Sequence, residues 1–172
     1  MAVFMHVFAA DDQKKIERNG LRPTKTSWRR YDGVFVMPVV PNYEVTHQWF
    51  REVQRFRNVP KMAVRLRLPD EEPIWVGRYN EDHLTTTAAE AVRIVLEHVD
   101  PMGLEVVVPR RIRASELLGF YHPPKAVGWR YHPKAKGTKP CGCPVCQYSQ
   151  PYGRKLRDAY DRANRVALDE ED

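Results

Sequence analysis

The chain is 172 residues long, with 42% apolar, 10% aromatic and 29% charged residues and a mean hydropathy of −0.59. That composition suits a globular fold, and the length holds one domain with a small appendage, which excludes a disordered chain and a large multidomain assembly. The net charge of +6 is unevenly spread: residues 1–109 carry 15 Lys and Arg against 15 Asp and Glu, residues 110–165 carry 13 against 3, and the last seven residues add four acids.

Ala2 to Phe8 is a short apolar run interrupted by His6, the pattern of a buried strand. Asp11 and Asp12 supply an N-cap and an acidic first turn for a helix over Lys14 to Asn19, which Gly20 stops before Leu21-Arg22-Pro23. Residues 24–32 read as a polar loop, and Gly33 to Pro38 as a second buried strand. Over residues 42–57, Val45, Trp49, Val53 and Phe56 recur at spacings of four, four and three, which predicts one amphipathic helix. Met62 to Leu68 alternates Met, Val, Leu and Leu with Ala, Arg and Arg, a half-buried strand, and Ile74 to Tyr79 is its expected hairpin partner across the acidic turn from Pro69 to Pro73.

Thr86 or Thr87, with Glu90 three or four residues on, caps a helix over Ala88 to His98. Leu104 to Val108 is a further apolar strand ended by Pro109, followed after Ile112 by a helical turn over Ala114 to Gly119 and an edge strand over residues 127–131. Residues 154–168 return to helical periodicity before the acidic end. There is no internal repeat, no regular βαβ rhythm and no Gly-rich phosphate loop, so the expected fold class is α+β. No apolar run approaches the roughly 18 residues of a membrane helix, and the N-terminus lacks a basic leader and a small-residue cleavage site. A cytoplasmic protein without a membrane partner is expected.

All three cysteines fall within Cys141-Gly142-Cys143-Pro144-Val145-Cys146, a spacing that suits a metal knuckle better than a disulfide framework. Three soft ligands on a Gly/Pro turn favour structural, tetrahedral zinc once a fourth ligand arrives; His132 is the first choice and His122 the second. Residues 132–153 have no periodicity and need such a tie. Around them Trp129, Tyr131, Tyr148 and Tyr152 alternate with Arg130, Lys134, Lys136, Lys139, Arg154 and Lys155. Those are the components of a nucleic-acid surface, although the aromatics equally suit the packing of a small zinc subdomain. The expected organisation is a domain over 1–120, a basic zinc-knuckle extension with a packed helix over 121–168, and an acidic tail over 169–172. His47, His83 and His98 occur singly and receive no role.

Three segments carry a resemblance. Phe4-Met5-His6-Val7-Phe8 with Ile16-Glu17-Arg18-Asn19-Gly20-Leu21, then Gly33-Val34-Phe35-Val36, then Leu104-Glu105-Val106-Val107-Val108-Pro109, together resemble the ordered motifs of ADP-ribosyltransferase-like proteins. The resemblance implies a split, mostly antiparallel sheet with flanking helices, and NAD as co-substrate in ADP-ribosyl transfer to a nucleic-acid or protein acceptor, which residues 110–165 would help present. It implies that Glu105 and His6 are the catalytic residues, Glu105 as the carboxylate and His6 by binding the ribose of the nicotinamide half, that Phe35 lines the nicotinamide pocket and that Arg22 meets the pyrophosphate. The sequence departs from that pattern in two places: Val-Phe follows His6 where the family has a small residue and Thr, and Phe35 stands for the more usual Tyr. Two alternatives share the fold: a non-catalytic zinc-containing nucleic-acid-binding module, and an RNA-end-processing enzyme similar to a 2′-phosphotransferase.

Overall fold

The computed structural model of the chain describes residues 1–24, 31–56 and 59–123. Within them lies an α+β fold built on one seven-stranded antiparallel sheet. The strands are β1 (Ala2–Ala9), β2 (Val34–Pro38), β3 (Lys61–Leu68), β4 (Pro73–Arg78), β5 (Leu84–Thr87), β6 (Leu104–Val108) and β7 (Leu117–Tyr121), in the spatial order β5-β4-β6-β2-β1-β3-β7. The helices are α1 (Gln13–Asn19), α2 (Tyr43–His47), α3 (Phe50–Phe56) and α4 (Ala88–Glu97). The strand expected over residues 127–131, the cysteine knuckle, the basic side chains from Arg130 to Lys155 and the last helix lie outside the described residues.

The expected hairpin between β3 and β4 does not form. β3 pairs with β1 along all eight residues and with β7, whereas β4 pairs with β5 and β6. Four strand steps separate β3 from β4, about 19 Å in a flat sheet. The five residue steps from Leu68 to Pro73 reach only about 17 Å when fully extended, and part of that link is a turn. The sheet must therefore bend between its halves, and pairing between them is thinnest where β1 and β2 share only the pairs Phe4 with Pro38 and Met5 with Met37. The link docks as it turns. The amides of Ala88 and Ala89 donate to the carbonyls of Glu72 and Asp70, the N-terminal ammonium meets Asp70 at 2.7 Å, and Arg110 forks onto both oxygens of Glu72 and both of Glu116. Those bonds from the guanidinium hold the Glu116 carboxyl below its ordinary pKa.

Residues 42–57 make two helices instead of one. Asn42 caps α2, accepting from the amides of Glu44 and Val45. The break at Gln48 and Trp49 follows from polar groups that one continuous helix would leave unmatched. The fully buried Gln48 amide donates to Val45 O and Pro101 O and accepts from the Gly103 amide, while the Trp49 indole donates to Leu104 O at 2.7 Å. An unpaired buried amide costs about 1–3 kcal/mol, enough to outweigh helix continuity over one turn. Phe50, absent from the expected apolar face, becomes one of the largest fully buried side chains.

On one face of the sheet Val34, Val36, Ile74, Val76, Leu104, Val106 and Val108 are all buried, and α4 lies over them with Ala88, Ala91 and Val95 inward. Thr87 caps α4 by accepting from the Glu90 amide, as the sequence suggests, but the expected Asp12 cap on α1 makes no such bond because Ala10–Asp12 is already a 3-10 turn. The turn expected over Ala114 to Gly119 shortens to Ala114–Glu116, and β7 takes over from Leu117. The strand β5, all threonine after Leu84, carries no apolar alternation to mark it in the sequence.

Gly20 ends α1 at φ +69°, and its amide donates to Ile16 O. Leu21 then exchanges both backbone hydrogen bonds with Ile112, so closely that a Cβ on Gly20 would lie 2.0 Å from Ile112 O. Gly20→Ala is expected to lower stability by at least about 2 kcal/mol in urea unfolding, because the strained φ and the backbone clash add.

Candidate active site

The register places the sequence-predicted residues. Phe35 pairs with Val107, Val107 with Trp75, and Glu105 with Gly77. Partners across an antiparallel ladder share a face and alternate residues share it too, so Phe35, Val107, Trp75, Glu105 and Gly77 lie on the face opposite α4. Phe35 and Trp75 are half-buried, and the Glu105 side chain is recessed, with 16% of its surface exposed.

Gly77 leaves the space beside Glu105 empty of side chain, and the β4–β5 turn folds back into it. The turn is set by Asn80 at φ +64°, and a Cβ on Gly77 would lie 2.9 Å from both His83 Cα and Asp82 O. The His83 side chain, 2% exposed, therefore stands next to Glu105, its Nε2 3.6 Å from Glu105 Oε2. Tyr31 covers this pair from the segment before β2. Its ring sits 4.2 Å from that of His83 and 5.2 Å from that of Trp75, and its hydroxyl accepts from the His83 amide at 2.7 Å. The result is a carboxylate and an imidazole set in an aromatic wall of Phe35, Trp75 and Tyr31. Neither His83 nor Tyr31 was legible as a site residue, because the close approach at Gly77 that brings them in depends on strand pairing and not on sequence neighbourhood.

His6 stands apart from this group. In register it alternates with Met5, whose partner Met37 shares the face of Phe35, so His6 belongs with Phe4 on the other face. Its contact with Phe35 runs through the backbone: Nδ1 donates to Phe35 O at 2.7 Å, just past the last β1–β2 pair. A carbonyl only accepts, so the hydrogen sits on Nδ1. Burial pushes the His6 pKa down, the backbone bond offsetting part of that effect. Arg22 is exposed between the bridges Leu21–Ile112 and Thr24–Gly33, and no described residue pairs with it. Those bridges flank the Val108 end of β6, three residues or roughly 10 Å along the strand from Glu105.

A third histidine, His47, is tied at both nitrogens. Nδ1 donates to Tyr43 O at 2.9 Å, and Nε2 accepts from the Tyr121 hydroxyl at 2.8 Å, with the Tyr43 ring stacked 4.1 Å away and Arg65 over Tyr121. Burial, aided by the positive field of Arg65, lowers its pKa despite the backbone bond, and burial raises that of Tyr121. Among the described residues no group of three or more His, Cys, Asp or Glu is arranged to hold a metal, and His122 is exposed. No helix among them is long and apolar enough to cross a membrane. No protein-family model, curated protein or solved structure matches the chain.

The His6 and His47 imidazoles make stability depend on pH with a definite sign. Both have folded pKa values below the ordinary 6.5, so their contribution is complete above pH 6.5. As pH falls through that value the unfolded chain takes up protons that the fold excludes, and stability declines by up to about 1.4 kcal/mol per pH unit for each histidine. Urea unfolding at pH 7.5 and 5.5 is expected to show this loss, and His6→Gln and His47→Gln each to flatten it; equal slopes in all three chains would contradict it.

Proposed function

We propose that the protein catalyses NAD-dependent transfer of ADP-ribose to a nucleic-acid or protein acceptor, with Glu105 as the catalytic carboxylate. The observation that carries this reading is the recessed Glu105 carboxylate on the same sheet face as Phe35 and Trp75. Cleavage of the bond between nicotinamide and ribose moves the bonding pair onto the ring nitrogen and leaves positive charge on the sugar. A fixed carboxylate shielded from water stabilises that charge far better than one in bulk solvent. The half-buried aromatic rings offer a flat apolar surface for the nicotinamide ring. Arg22, exposed and unpaired among the described residues, is the cation suited to the pyrophosphate.

The basic, cysteine-bearing segment supplies the acceptor side of the proposal. Three thiolates from Cys141, Cys143 and Cys146 with the His132 imidazole form a donor set suited to tetrahedral structural zinc. Arg130, Lys134, Lys136, Lys139, Arg154 and Lys155 would then present a positive surface to a polyanion. One zinc per chain by elemental analysis, lost in Cys143→Ser, is the expected outcome, and a folded, metal-free protein would refute that part.

One observation favours the binding-module reading. His6 is engaged with the Phe35 carbonyl and lies off the Glu105 face, away from the ribose-binding role the resemblance gives it. Nicotinamide release separates the two readings. With NAD and DNA, RNA or protein present, the wild-type chain is expected to release nicotinamide, and Glu105→Gln to do so at least about 100-fold more slowly. No release under any of these conditions, with salt-dependent binding of single strands retained, would leave the binding module.

A further inference from the structure

His83 has the environment of a group that acts on Glu105. Its Nδ1 lies 3.0 Å from Glu81 O, a carbonyl that can only accept, so Nδ1 carries hydrogen. In a neutral ring that leaves Nε2 as a bare lone pair, and Nε2 is buried with no hydrogen-bond partner. What it faces, at 3.6 Å, is Glu105 Oε2, which in the ionised form is also only an acceptor. A buried acceptor faces a recessed one, an arrangement that costs free energy until a proton lies between them. One proton, on Nε2 or on Oε2, turns the pair into a donor and an acceptor. Among the described residues nothing else near the ring competes for it: Tyr31 meets the ring by its aromatic face and uses its hydroxyl on the His83 amide, and Trp75 packs on Tyr31. Arg78 of β4 turns to Asp100 and Met102, while Glu81 and Asp82 of the same turn are exposed.

We propose that His83 is the positioning residue of the site, holding Glu105 through a single proton shared between Nε2 and Oε2. The proposal rests on the reading of Glu105 as the reactive carboxylate and adds what fixes it. With the proton on His83, the carboxylate is ionised and anchored by one oxygen, and its other oxygen is free for substrate. Without the imidazole the carboxylate loses that anchor, so His83 acts on the rate of the chemical step and not on NAD binding.

Two independent measurements test this. The ring-nitrogen NMR signals of His83 report what each nitrogen meets without any reaction: the Nε2 signal is expected to differ between the wild-type chain and Glu105→Gln, whose amide can itself donate to Nε2, while the Nδ1 signal, held by Glu81 O, stays in place. Identical His83 signals in the two proteins would overturn the proposal even if NAD turnover is observed. For turnover, His83→Leu is expected to lower kcat about 100-fold with KM for NAD nearly unchanged. His83→Gln, which offers a donor amide near the place of Nε2, is expected to recover most of that rate. Wild-type kcat in His83→Leu would refute the role. An absence of NAD turnover in every chain would instead count against the proposed reaction, and the NMR comparison would still decide the His83–Glu105 pair.

Discussion

Two residue pairs, Phe4 with Pro38 and Met5 with Met37, join β1 to β2, supplemented by the Val39 amide on Val3 O and the His6 ring on Phe35 O. This narrow seam is what the rest of the molecule is arranged around. Because the halves meet so briefly, the sheet can bend there, and the short link after β3 can deliver β4 to the far half. β4 then lies against β6, which sets Gly77 opposite Glu105 and leaves the space that His83 enters. A hairpin of β3 with β4 would have removed Gly77 from Glu105 and with it the pairing of carboxylate and imidazole.

Strands with strong apolar runs, such as β1, β2 and β6, are legible in the sequence because each has one or both faces buried. Their partners are not, since an apolar run carries no label for the neighbour it will meet. The expected β3–β4 hairpin failed on that point: a short acidic turn fits a hairpin and a corner equally well, and only the competing ladder between β4 and β6 decides. β5 and β7 escaped because edge strands with exposed residues such as Leu84 and Leu118 lack alternation. The helix break at Gln48 escaped because its cause lies at Pro101 and Gly103, more than fifty residues away. At the site, Glu105 and Phe35 were legible as residue types in strands, whereas His83 and Tyr31 depend on the turn at Asn80 and the missing side chain at Gly77.

The three buried or half-buried histidines illustrate how one local motif yields different chemistry. His6, His47 and His83 each have Nδ1 on a backbone carbonyl, which sets the same tautomer in all three. They differ in what meets Nε2. For His47 it is the Tyr121 hydroxyl, a donor, so the neutral ring is satisfied and serves to tie α2 to β7. For His6 no described residue bonds that nitrogen, and the ring serves as a spacer bonded across the seam. Only His83 points its remaining nitrogen at a carboxylate, which is the difference between a ring that ties backbone together and one set against an ionisable side chain.

Residues 69–72 also govern how the sheet bears force. The Asp70 and Glu72 carbonyls, the Met1–Asp70 pair and the Arg110 fork gather beside the Ala2–Leu68 end of β1, the same end as the seam. The two half-sheets are thus bound like the covers of a book along a short spine. A load that parts them is not shared in shear by many hydrogen bonds at once, as it would be along the eight-residue β1–β3 ladder. It peels the seam from its open side, and the first bond to bear it is the one from His6 to the Phe35 carbonyl.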